Sequence, residues 1–95
     1  MSQKDAYVQK LQEQLDAWKL QMDEFRRHSV DVTRQARDEY QKQLELLQAH
    51  GDMVRRQLDA TRQASEQAWL DMKVRADKAW DDLYQMTRNA LDRFK

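Results

Sequence analysis

"LLQAHGDMVRRQL", residues 46–58, contains the only glycine of a 95-residue chain that has no proline. Two readings of this stretch lead to different folds. Gly51 can end one helix, with the chain turning back, or a helix can run through it. "AHGDM" places Gly51 where a residue just past a helix C-terminus would stand. Asp52 then stands where it would cap the next helix. His50 lies near the negative end of the first helix dipole, where a cation is favoured. A turn at His50, Gly51 and Asp52 is therefore expected.

Working outward, apolar residues recur every three or four positions, the period of helices packed along a seam. The stripe includes Leu11, Leu15, Trp18, Met22, Phe25, Val32, Tyr40, Leu44 and Leu47 before Gly51. Beyond it follow Val54, Leu58, Trp69, Met72, Ala76, Ala79, Leu83, Met86 and Phe94. Folding the chain between residues 50 and 51 sets position i opposite position 101 minus i, so Trp18 faces Leu83 and Phe25 faces Ala76. Several such pairs match large with small residues, as a dense seam requires. The expected fold is all-α: a long antiparallel coiled-coil hairpin over residues 1–95, with helices at about 3–49 and 53–94. Ser2 with Asp5 resembles a capping box at the first helix start.

Two other architectures fit the stripe. A glycine inside a helix costs only about 1 kcal/mol relative to alanine. One continuous helix could therefore pair with a second copy in an antiparallel homodimer. Alternatively, breaks near 28–31 and 61–65 give a three-helix bundle, with Ser29 or Asp31 as caps. At 1.5 Å per residue the hairpin is about 70–80 Å long, the continuous helix about 140 Å and the three-helix bundle about 45–50 Å.

Nine apolar residues lie beside the stripe: Val8, Leu20, Val30, Leu46, Met53, Leu70, Val74, Tyr84 and Leu91. A lone two-helix hairpin leaves many of them wet, which predicts a second interface and a homo-oligomer, most simply a dimer. The polar face offers Asp23–Arg27, Asp38–Lys42, Asp52–Arg56 and Asp71–Arg75 at i,i+4 spacing.

Composition excludes several function classes. Lys+Arg and Asp+Glu are both 17 with interspersed signs, whereas nucleic-acid binding needs clustered positive charge. Without cysteine there are no disulfides or thiolate metal sites. Glu24 lies four residues before His28, but His28 and His50 stand 22 residues apart without a metal-binding constellation around either, so no metal site is expected. There is no phosphate loop and no nucleophile–base order. The chain reads as non-enzymatic, without catalytic, cofactor-binding or metal-ligating residues. The first ten residues lack an apolar core of signal type, and no run approaches a membrane span. A cytoplasmic location is expected.

"AWLDM" (68–72) and "AWDDL" (79–83) repeat eleven residues apart. Such repeats occur in lipid-binding amphipathic helices as well as in coiled coils. The preferred reading is a structural or protein-interaction coiled-coil module that self-associates. A peripheral protein of lipid surfaces is the alternative.

"AYVQKLQEQLDAW" (6–18), "DEYQKQLELL" (38–47), "AWLDMKVRADKAWDDL" (68–83) and "ALDRFK" (90–95) cover most of the chain. On these stretches it resembles short bacterial coiled-coil domain proteins of unknown function. That family often carries a glycine near position 66, which "SEQAW" (65–69) lacks. The resemblance implies a helical bacterial accessory protein, stress-related, with an unidentified protein partner and no cofactor.

Overall fold

The computed structural model describes residues 2–27 and 34–93, with Gln35 in backbone only. Among these the chain is all-α, with α1 at Gln3–Arg27, α2 at Arg34–Gln63 and α3 at Trp69–Arg93. The Cα extents are 51 × 18 × 17 Å, close to the length of a three-helix bundle. α2 runs antiparallel to both neighbours. Lys4 Nζ donates to the Ala64 carbonyl at 2.9 Å, and the Phe25 and Tyr40 rings meet at 4.7 Å. α1 and α3 run parallel, because Tyr7 meets Asp77 while Trp18 meets Thr87.

The expected turn at His50, Gly51 and Asp52 is therefore corrected. All three lie inside α2, and Gly51 has no positive φ. The hairpin pairing about residue 51 goes with it. Trp18 lies on Gly51 and bonds Thr87, one turn beyond Leu83, and Phe25 packs on Tyr40 rather than Ala76. Propensity at one glycine, about 1 kcal/mol, is smaller than what packing an aromatic side chain against it supplies.

The helix ends follow from local hydrogen bonds. Ser2 Oγ accepts from the Asp5 amide at 3.2 Å, the serine half of the expected capping box. α2 closes with a bond from the Ala64 amide to the Thr61 carbonyl. Ser65 Oγ then accepts from the Ala68 amide at 3.2 Å, and its carbonyl takes the Trp69 amide at 3.0 Å. Ser65 thus caps α3, and the second break falls at residues 64–68. The expected first break at 28–31 and the seam position Val32 lie outside the described residues, as does Phe94.

The remaining seam positions converge on one core, though from three helices instead of two. Leu11, Leu15, Trp18, Met22 and Phe25 are buried from α1, and Tyr40, Leu44, Leu47, Val54 and Leu58 from α2. α3 supplies buried Trp69, Ala76 and Leu83, with Met72, Ala79 and Met86 half-buried. Among the described residues the ion pairs on the surface differ from the expected ladder: Asp59–Arg62 at 3.6 Å, Lys73–Asp77 at 3.8 Å, and Glu39 with Arg93. Exposed pairs of this kind contribute at most about 1 kcal/mol each.

Tyr40 is buried and donates its hydroxyl to the Phe25 carbonyl at the last turn of α1. That bond ties the end of α1 to the first half of α2. Tyr40→Phe is expected to lower stability by about 1–2 kcal/mol, since it removes a buried donor without opening a cavity. Urea unfolding of the two proteins checks it, with the denaturant slope unchanged.

Candidate functional site

The side of the bundle between α1 and α3 is where the core reaches the surface. It begins with Trp18. The indole crosses from α1 over Gly51, and its Nε1–H donates to Thr87 Oγ1 at 2.9 Å. The Thr87 hydroxyl donates in turn to the Leu83 carbonyl at 2.8 Å. Both buried polar groups are therefore satisfied. No buried side-chain nitrogen or oxygen among the described residues lacks a partner. An ideal Cβ on Gly51 would stand 2.4 Å from Trp18 Cη2 and 2.6 Å from Cζ3. The glycine is a notch that lets a six-membered ring lie directly on a helix backbone.

Outside this clamp lies a groove of about 590 Å³. Gln14, Ala17, Trp18 and Gln21 form its α1 wall, and Trp80, Tyr84, Thr87, Arg88 and Leu91 its α3 wall. Its lining is mostly apolar, yet the α1 rim carries no charge. Tyr84 is 49% exposed, while Trp80 and Leu91 pack against the core edge. The groove continues past Gln14 and Trp80 into a more polar end of about 410 Å³, lined also by Tyr7, Lys10, Lys73, Asp77 and Asp81.

Tyr7 organises that end. Its hydroxyl donates to Asp77 Oδ1 at 2.6 Å, its ring meets Trp69 at 6.3 Å, and Lys73 Nζ stands 5.5 Å from the ring centre. The Tyr7 phenol is pushed well above its ordinary value. Burial is the main cause, followed by the hydrogen bond to Asp77 and the negative charges of Asp77 and Asp81. Burial raises Tyr40 too, against a smaller opposing effect of the Arg26 charge. Both shifts favour the neutral phenol in the folded state. Their stabilisation is complete below pH ~10, the unfolded value, and declines as pH rises above it. Alkaline melts of the wild type should therefore fall more steeply above pH ~10 than those of Tyr7→Phe. Parallel curves would remove Tyr7 from the explanation.

Several sequence expectations can now be placed. Six of the nine apolar residues beside the stripe are exposed: Leu20, Leu46, Met53, Leu70, Val74 and Tyr84. Val8 is buried and Leu91 half-buried, while Val30 lies outside the described residues. Of the repeated tryptophans, Trp69 is buried against Tyr7 and Trp80 lines the groove. His50 is half-buried on α2; His28 lies outside the described residues. Among the described residues no group of three or more His, Asp or Glu side chains is placed to hold a metal ion. No helix among them is long and apolar enough to cross a membrane. The groove itself was missed by sequence reasoning. Its signal was available in Trp80, Tyr84, Arg88 and Leu91, which share the flank of the α3 seam at three- and four-residue spacing.

No protein-family model, curated protein or solved structure matches the chain at a significant level.

Proposed function

We propose that this chain is a non-enzymatic protein-interaction module that self-associates through its helices, acting in the cytoplasm. One observation carries the reading. The bundle fills its core and still holds Leu20, Leu46, Met53, Leu70, Val74 and Tyr84 in solvent, each 48–69% exposed. Single exposed apolar residues are ordinary, but Tyr84 stands on an open, largely apolar groove. Such a groove accepts a helix side by side, as in four-helix packing.

The alternative, lipid-surface binding, drew its support from the repeated tryptophans. Burial of Trp69 at 6% exposure withdraws half of that repeat from any surface the folded bundle presents. Sedimentation velocity over a concentration series tests the proposal. A sedimentation coefficient that rises with concentration is expected. A single monomeric species throughout would count against it, and co-flotation with anionic vesicles would favour the alternative.

A further inference from the structure

We infer that the α3 face carrying Asp81, Tyr84 and Arg88 is the self-docking surface, and that its occupant is the same face of a second copy lying antiparallel. This rests on the self-association reading above and deepens it. The three residues are spaced three and four apart, so they form one stripe on α3. All three are exposed. Asp81 and Arg88 flank Tyr84 with opposite charge, at nearly equal distances along the helix.

That arrangement is self-complementary. A twofold axis passing near Tyr84, perpendicular to α3, sets Asp81 of each copy against Arg88 of the other. The two Tyr84 rings meet near the axis, and the Arg88 guanidinium of one copy comes level with the Trp80 ring of the other, where a cation is attracted. A parallel arrangement would instead hold Asp81 level with Asp81 and Arg88 level with Arg88. The charges therefore select the orientation as well as the partner.

The neighbouring surface permits the approach. Gln14, Ala17 and Gln21 on the α1 rim are uncharged and add no repulsion. Asp77, one turn before Asp81, is already engaged by Tyr7 and Lys73. α3 of one copy and α3 of the other then face each other across the groove, with α1 helices alongside, giving a four-helix layer.

The test is a charge exchange read by sedimentation velocity at low salt. Asp81→Arg and Arg88→Glu each place like charges across the axis, and each should weaken the dimer at least about tenfold. Mixing the two variants in equal amounts should restore association, because both contacts between positions 81 and 88 across the mixed dimer are then of opposite sign. The double variant D81R/R88E should dimerise like the wild type. Both positions are exposed, so circular dichroism of the variants, and thermal melts recorded at concentrations low enough to keep every protein monomeric, should match the wild type. A wild-type dimer unaffected by the single variants would overturn this surface and leave self-association standing. A wild type that stays monomeric would overturn both. Loss of association in the singles without recovery in the mixture would overturn the antiparallel arrangement.

Discussion

Trp18→Ala should lower unfolding stability by about 3–5 kcal/mol, the range for removing a large buried aromatic. Trp18 is 8% exposed and touches all three helices. It starts on α1, lies on the α2 backbone at Gly51 and bonds α3 at Thr87. Its removal opens a cavity that the neighbours cannot close, because Gly51 has no side chain to move into it. It also leaves Thr87 without its donor. A domain of this size has about 5–15 kcal/mol of stability in total. The variant should therefore melt far below the wild type, or lose cooperative unfolding altogether. Thermal and urea unfolding followed by circular dichroism check this. A change under about 1 kcal/mol would mean that the indole is not the joint between the helices.

Gly51→Leu should be nearly as damaging, at about 3 kcal/mol, the upper part of the overpacking range. Two effects oppose each other at this position. Leucine or alanine favours the helix over glycine by up to about 1 kcal/mol. Against this, even the first added carbon falls 2.4 Å from Trp18 Cη2. The ring cannot step aside freely, because its Nε1 end is held by Thr87 at 2.9 Å. The steric term therefore wins, and Gly51→Ala should also destabilise, by a smaller margin. The coupling to Trp18 is the sharper readout. In Trp18→Leu, where the ring is gone, Gly51→Ala should become neutral or stabilising. A double-mutant cycle measures this. If Gly51→Ala stabilises the wild-type protein, the glycine is not a notch. A turn at Gly51, by contrast, would predict insensitivity to the residue at position 18.

The apolar stripe was legible from composition and spacing, because one helical period generates both the stripe and the core. Every described seam position is buried or half-buried. The turn positions were not legible, for two physical reasons. The stripe keeps its three-four phase across the break at residues 64–68, so that break leaves no mark in the period. Ser65 illustrates this, since it stands at seam spacing from Trp69 in sequence, yet it is exposed and caps α3. A glycine beside an aspartate also carries the same signature whether it ends a helix or admits an aromatic ring. Nothing local distinguishes them, because the ring comes from Trp18, 33 residues away. The mirror pairing about residue 51 follows from any regular three-four stripe, which is why it suggested a partner for Trp18 one turn from the real one.

The groove was partly legible. Tyr84 and Leu91 stood out as apolar residues beside the seam, and Trp80 as half of a repeat. Their joining into one surface depends on α1 and α3 lying parallel, which no local pattern encodes. The opposite charges of Asp81 and Arg88 around Tyr84 acquire meaning only once that face is known to be open.

The most direct test of the three-helix account is one distance. The chain has no native cysteine, so cysteines placed at exposed Gln3 and Gln63 can carry spin labels without interference. Labelled protein diluted into unlabelled protein reports the distance within a single chain. The bundle brings the start of α1 to the end of α2, as the 2.9 Å bond from Lys4 to Ala64 requires. Packed helices lie about 8–10 Å apart, so the labels should give a narrow distribution below about 25 Å. A hairpin turning at Gly51 would separate the same positions by about 50 Å, and one continuous helix by about 90 Å. Either of those longer distances would contradict the fold from which every inference above is drawn.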